Sequence, residues 1–274
     1  NKNDLAVVDQ ESNKLSILLN YGNGIFPANG NFFVGNQLKD ISISDLNQDN
    51  RLDVLTVSNE ADEQGYFYSI LFNNNDRFSV SRFYDVGFGP ISVVVDNLNN
   101  DAENMPDIVV LNELSDDFTV ILDRFGFAYN PNLDQYNLDN GGWGGTKIRA
   151  ADFNNDSCKD LFILNEMSGN ILVYKNDCNG QFDFNNKLFV NLVNIGCSFP
   201  SDFYLGEIVP TAGTDTVYQD IAVVCSNSNN LLILKNEGVK FTAMPDNYFT
   251  GSNPSSIDGG DLNGDNRVDL VVTN

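Results

Sequence analysis

Asp261-Leu262-Asn263-Gly264-Asp265-Asn266-Arg267-Val268-Asp269, running directly into Leu270-Val271-Val272-Thr273-Asn274, is the stretch from which the fold can be read. Oxygen-bearing side chains occupy its first, third, fifth and ninth positions, with a glycine between. A hard cation such as Ca2+ takes six to eight oxygen ligands, and a tightly curled loop turns alternate side chains toward one centre. The apolar run that follows is β-rich, so this loop feeds a strand, whereas an EF-hand loop would feed a helix.

The same arrangement recurs. Aligned on the acidic residue that closes each loop, the units open near Asp4, Asp53, Asp107, Asp160, Asp220 and Asp269, at spacings of 49 to 60 residues. A period of that size marks a repeat architecture. Each unit has an apolar or alternating run (Ile41 to Ser44, Ile91 to Val95, Ile148 to Ala151, Phe203 to Val209, and weakly Ser256-Ile257) before the acidic loop. A buried-looking strand comes next: Val54 to Val57, Ile108 to Leu111, Leu161 to Leu164, Ile221 to Val224. A third strand often ends in asparagine, as at Asn20, Asn73, Asn176 and Asn236, although Asp123 ends one. Then a turn closed by an aromatic (Phe26, Phe78, Phe127, Phe182, Phe241) leads to a looser fourth strand. The aromatic is expected to wedge between neighbouring repeats. Four short strands repeated at this period predict an all-β β-propeller of four-stranded blades, with about five repeats forming one domain over residues 1–274, as a ring of their own or as part of a larger ring or array.

The full pattern Asp-x-Asn-x-Asp-x-x-x-Asp occurs three times: Asp45, Asn47, Asp49 and Asp53; Asp152, Asn154, Asp156 and Asp160; Asp261, Asn263, Asp265 and Asp269. A lengthened variant sits at Asn97, Asn99, Asp101 and Asp107, beside Asp96, and the fifth unit, Glu207 to Asp220, has lost the pattern. Three matches in register with a repeat point to three or four Ca2+ ions, with main-chain carbonyls at or near Arg51, Lys159 and Arg267 completing each shell. The expected role is a structural clip between two strands. Unliganded turns would gain nothing from the repulsion of clustered carboxylates.

These repeats resemble the FG-GAP/VCBS repeat proteins, the β-propeller class that includes the integrin α-subunit head. Val86-Gly87-Phe88-Gly89-Pro90-Ile91 before Asn97 to Asp101, and Gly141-Gly142-Trp143-Gly144-Gly145 before Asp152 to Asp156, carry the resemblance. Phe249-Thr250-Gly251-Ser252-Asn253-Pro254 before Asp261 is a weaker third case. The resemblance implies Ca2+ at the loop residues and an extracellular setting. It is specific for fold and not for function, since the class spans adhesion receptors, lectins and accessory domains. Family propellers are commonly seven-bladed, which leaves the number of blades open.

The charge is extreme: 38 acidic against 15 basic residues and no histidine, a net −23. Such a surface repels nucleic acid and anionic membranes and attracts divalent cations. No run approaches the roughly 18 apolar residues of a membrane span. The missing histidine removes the usual general base and the familiar serine and cysteine triads. The chain, which begins at Asn1, reads as processed or partial. Four cysteines allow three connectivities; symmetry about the expected turns favours Cys158–Cys178 and Cys197–Cys225. Disulfides and millimolar Ca2+ share one location, outside the cell, secreted or surface-attached. Asn155-Asp156-Ser157, a glycosylation acceptor by sequence, falls inside a cation loop.

Asn1 to Val8 aligns with Asn266 to Thr273, so Asp269–Asn274 contains a surplus second strand. Both ends could be boundaries of a longer chain, one strand could close the ring, or the surplus strand could complete a neighbour's blade head to tail. The expected function is a non-enzymatic, Ca2+-stabilised structural or adhesive protein that assembles with itself or with other extracellular proteins or glycans. The alternative is a carbohydrate-binding lectin-type propeller using Trp143.

Overall fold

The computed structural model describes residues 3–62, 65–74, 78–84, 86–101, 104–122, 135–139, 141–210 and 218–274. The expected aromatic Phe127 and strand end Asp123 lie outside them. The chain forms two compact units, residues 1–95 with 103–139, and residues 96–102 with 140–274.

In the first unit, β1 (Leu5–Asp9), β2 (Lys14–Leu18) and β3 (Ala28–Phe32) form a three-stranded sheet. Strands β4 (Leu38–Ser44), β5 (Asp53–Asp62), β6 (Gly65–Asn73) and β7 (Phe78–Tyr84) form the next. Strands β8 (Pro90–Asp96), β9 (Asp107–Asn112), β10 (Asp117–Ile121) and β11 (Gln135–Asp139) form a third. The second unit has β12 (Gly145–Ala151), β13 (Asp160–Asn165), β14 (Asn170–Tyr174) and β15 (Leu188–Asn191) as one sheet. Strands β16 (Pro200–Gly206), β17 (Asp220–Cys225), β18 (Asn230–Asn236) and β19 (Phe241–Phe249) form another, and β20 (Ser256–Gly260) pairs with β21 (Asp269–Thr273). Every ladder is an antiparallel meander in chain order. The closing aspartates Asp53, Asp107, Asp160, Asp220 and Asp269 are the first residues of β5, β9, β13, β17 and β21.

Period-2 alternation explains the packing. In β17, Ile221 and Val223 join a core with Phe162, Leu164, Ile171 and Val173 of the preceding sheet. Ala222 and Val224, on the other face, pack with Ile257 and with the partly buried Leu270 and Val272 of β20 and β21. The first unit repeats this: Val54 and Leu71 face Leu15 and Ile17, while Leu55, Val57 and Ile70 face Ile108 and Val110. Strand β17 is buried at every residue because both faces are covered, and β9 and β13 are buried throughout as well. Successive sheets therefore stack face to face within each unit.

First strands are also joined side to side. Asp40 of β4 accepts from Ser92 Oγ and Val93 N of β8, and Asp202 of β16 accepts from Ser256 Oγ and Ile257 N of β20. Arg149 of β12 completes the second case, its Nε donating to the Phe203 carbonyl at 2.6 Å and its guanidinium lying 3.2 Å from Asp202.

Two of the expected aromatic wedges, Phe241 and Phe78, meet an aromatic of the preceding sheet, whereas Phe26 is half-buried. Phe241 packs on Phe153 and Phe162 with ring centres 5.4 and 6.2 Å apart, Phe78 lies 5.5 Å from Phe32, and Phe182 is buried.

The turn before each first strand needs a left-handed residue: Gln37, Gly89, Gly144, Phe199 and Asn253 have φ of 50°, 70°, 67°, 55° and 58°. At Gly89, Gly144 and Phe199 the carbonyl then accepts the N–H of the residue after the paired second strand, and the Gln37 carbonyl accepts from Asn59 N within β5. A Cβ on Gly144 would come within 2.6 Å of Met167 Cγ, 3.0 Å of its Cβ and 3.2 Å of its backbone N, so the turn has to shift. Gly144→Ala is therefore expected to cost more than the about 1–2 kcal/mol of backbone strain alone, and Gly144→Asn, which carries the same Cβ, to recover only the strain part, as urea midpoints would read.

Candidate functional site

In a meander the loops between first and second strands all fall at one end of a sheet, together with the turns between third and fourth strands. The three full Asx loops adopt one conformation there. Their fourth and sixth residues are left-handed: Gln48 and Asn50 at 59° and 63°, Asn155 and Ser157 at 64° and 70°, Gly264 and Asn266 at 84° and 61°. That curl lets side chains cap the loop's own backbone. Asp45 Oδ1 accepts from Asp49 N and its Oδ2 from Asn50 N; Asn47 Oδ1 also accepts from Asp49 N, and Asp49 Oδ1 from Arg51 N. Asp152, Asn154 and Asp156 repeat these bonds to Asp156, Ser157 and Cys158. Asp261, Asn263 and Asp265 repeat them to Asp265, Asn266 and Arg267.

The variant loop is only partly alike. Asn97 and Asn99 accept from Asn100 N and Asp101 N, and Asn100 is left-handed at 49°. Asn97, Asn99 and Asp101 belong to the second unit, whereas Asp107 opens β9 in the first.

The ninth-position aspartates have a different task from the other three. Asp53 accepts from Leu46 N and Asn73 N, and Asp160 from Phe153 N and Asn176 N. Asp220, in the unit without the cation pattern, does the same for Ile208 N, Val209 N and Asn236 N. Asp4 likewise accepts from Asn20 N, and Asp269 from Leu262 N. This residue thus ties the loop to the end of the third strand whether or not a cation set accompanies it.

The asparagine at that strand end then reaches into the preceding repeat. Asn176 Nδ2 donates to the carbonyls of Leu98 and Lys159, and Asn236 Nδ2 to those of Phe153 and Gln219. The sequence displayed these asparagines as a pattern without disclosing their use, because the partners in the preceding repeat, Leu98 and Phe153, lie 78 and 83 residues away.

Burial raises the Asp160 carboxyl to about 6, against the stabilising N–H groups of Asn176 and Phe153, with the charges of Asp156 and Asp152 adding to the rise. Asp53 is raised by burial too, with Asp49 and Asp45 contributing. Asp261, fully exposed, is lowered by its backbone donors, Asn266 N first.

The donor set is all oxygen: two carboxylates and an amide at positions one, three and five, a closing carboxylate, and the seventh-position carbonyl of Arg51, Cys158 or Arg267. The Lys159 carbonyl named by the sequence reading already accepts from Asn176, so Cys158 is the equivalent of Arg51. An oxygen accepting one N–H retains a lone pair, so this set fits a hard cation. The carboxylates of a loop are turned to backbone donors in this structure. Among the described residues, the acid-and-cysteine group whose ligand atoms lie within 4.8 Å of one another is Asp156 with Cys158 and Cys178. Its sulfurs are joined and offer no thiolate.

Both expected disulfides are present, Cys158–Cys178 and Cys197–Cys225, with Cα atoms 5.0 and 5.3 Å apart. At the opposite end of the second unit Trp143 is 70% exposed, its backbone N–H donating to Ser168 Oγ. No helix is long and apolar enough to cross a membrane among the described residues.

The profile of the FG-GAP-like repeat matches residues 217–272, which include Phe249 to Pro254 and the whole Asp261 loop. No curated protein matches the chain. Among solved structures, a functionally unknown protein from Desulfotomaculum acetoxidans is similar at TM-score 0.64 and 13% identity, over 94% of this chain and 69% of that one. A streptogramin B lyase is similar at TM-score 0.58 and 13% identity, over 97% and 78%. The periplasmic gluconolactonase of Pseudomonas aeruginosa is similar at TM-score 0.58 and 14% identity, over 99% and 69%. The neighbours are β-propeller-like, so residues 217–272 carry an FG-GAP-like repeat in a chain of propeller-like sheets. Two of them bear enzyme names, so fold alone does not argue against catalysis.

Proposed function

We propose that this chain is an extracellular, non-enzymatic repeat propeller whose sheets are clipped by Ca2+ at the Asp45, Asp152 and Asp261 loops, and that it serves a structural or adhesive role. The observation that carries this reading is the recurrence of one oxygen-rich loop conformation, bond for bond, in three repeats. Asp45, Asn47, Asp49 and Asp53 would hold one ion, Asp152, Asn154, Asp156 and Asp160 a second, and Asp261, Asn263, Asp265 and Asp269 a third. Bound Ca2+ supplies charge neutralisation and cross-linking; the chain's residues orient the loop and the strand it opens. Two disulfides agree with an oxidising compartment, and the carboxylates are accounted for by loops and strand ties. Calorimetric titration of chelator-stripped protein with Ca2+ should return three sites, and two in Asp152→Asn/Asp156→Asn. A stoichiometry of zero would overturn the reading.

Self-association is part of the proposal. Strand β21 is paired on one side, by β20, and Val271 is 49% exposed, an edge of the kind that accepts another strand. Particles that dissociate on deletion of residues 269–274 would support it, and a monomer at all concentrations would refute it. The exposed Trp143 favours glycan binding as a second reading, since an aromatic face presented to solvent can stack on a sugar ring. Glycan-array signal lost in Trp143→Ala would select that reading.

A further inference from the structure

We propose that the Cys158–Cys178 disulfide sets the cation affinity of the Asp152 loop and makes that loop, alone of the three, sensitive to thiol reductants. The inference rests on the loops being Ca2+ sites. Position seven of each loop bears the main-chain carbonyl that would face the ion, and the three loops hold that residue in three ways.

In the first loop the tether is polar. Arg51 Nε donates to the Asn73 carbonyl at the end of β6 at 2.8 Å, and its guanidinium pairs with Asp49. In the second loop the tether is covalent. Cys158 is joined to Cys178, two residues beyond Asn176 at the corresponding place after β14. In the third loop Arg267 has the backbone bond to Asp265 that all three loops share, and β21 has no third strand beside it in its sheet to supply a further tether.

The disulfide is set among the bonds that shape the loop. Cys158 N donates to Asp156 Oδ1 at 2.9 Å. Asn176, near its other end, donates N to Asp160 Oδ1 and Nδ2 to the carbonyl of Lys159, the residue after Cys158. Opening the bridge therefore frees the seventh position from the strand end that fixes the ninth. Loss of such outer supports typically lowers metal affinity about 10- to 100-fold. Reduction is a two-electron exchange: a dithiol's thiolate attacks one sulfur, a mixed disulfide forms, the second thiol displaces it, and two cysteine thiols and an oxidised dithiol result. Cys158 is buried but Cys178 is partly exposed, whereas Cys197 and Cys225 are both buried, so the reductant meets the loop bridge first.

The test is calorimetric titration with Ca2+ of the stripped, oxidised chain, of Cys158→Ser/Cys178→Ser, and of Cys197→Ser/Cys225→Ser as control. One of three sites should weaken about 10- to 100-fold in the first variant, and no site should weaken selectively in the control. In an Asp152→Asn background, which removes the affected site, the two remaining affinities should no longer respond to the cysteine change. Three unchanged affinities in Cys158→Ser/Cys178→Ser would overturn the inference while leaving the loops as Ca2+ sites; no binding by the oxidised chain would instead overturn the site reading beneath it. If the variant loses its circular dichroism spectrum, the folded native protein is titrated before and after treatment with dithiothreitol, with thiols mapped by alkylation. Selective loss of one site with Cys158 and Cys178 labelled then supports the inference, and three unaltered sites with the same labelling refute it.

Discussion

Chelating Ca2+ is expected to destabilise the second unit more than the first. Each ion bound only by the folded chain contributes RT ln(1 + [Ca2+]/Kd), about 2.7 kcal/mol when the free ion stands a hundredfold above Kd. Residues 1–95 with 103–139 hold the Asp45 loop, whereas residues 96–102 with 140–274 hold both the Asp152 and the Asp261 loops. The contribution lost is thus about 3 kcal/mol in one unit and about 5 kcal/mol in the other. For a unit of this size the transition of the second unit should fall by roughly 10 °C or more. Differential scanning calorimetry with and without chelator reads the shift. Superimposable traces would mean that the loops are Asx turns sustained by their own backbone bonds.

Asp220→Ala should destabilise the protein by about 3–5 kcal/mol, by the same amount in Ca2+ and in chelator. The carboxylate is buried and accepts from Ile208 N at 3.2 Å, Val209 N at 2.7 Å and Asn236 N at 2.8 Å. Each buried donor left without an acceptor costs about 1–3 kcal/mol, and the loss is shared because the loop can partly relax. Asn236 also donates from Nδ2 to the Phe153 carbonyl of the preceding repeat, so the damage reaches the interface where Phe153 meets Phe241. Asp220→Asn, which keeps one acceptor oxygen, should recover a good part. Asp160→Ala offers the contrast: it removes the same kind of strand tie together with a proposed ligand, so its cost should be larger in Ca2+ than in chelator. A Ca2+-dependent effect of Asp220→Ala would contradict the assignment of this aspartate to backbone support.

The strand order of each repeat was legible because closely spaced residues carry it. A closing aspartate followed by an apolar run, as at Asp160-Leu161-Phe162-Ile163-Leu164, specifies a loop and a fully buried strand through local chemistry. The pairing Cys158–Cys178 was likewise readable, since two residues symmetric about one hairpin must face each other across it. The cation pattern was visible at every position. What a linear pattern conceals is which of its oxygens are already committed to the fold and which are not.

That division emerged only in three dimensions. Asp53 and Asp160 look like members of a ligand set, yet Asp220 keeps the same kind of backbone donors where no set exists, which assigns the ninth position to the fold first. Sequence alone determined that the chain consists of β repeats with three oxygen-rich loops, because hydrophobic period and loop spacing act between near neighbours. Tertiary structure decided how the repeats are held together, by Asn176 on Leu98, Asn236 on Phe153 and Asp202 on Ser256. Such bonds join residues far apart in the chain, and only the stacking of one sheet on the next brings donor and acceptor within reach.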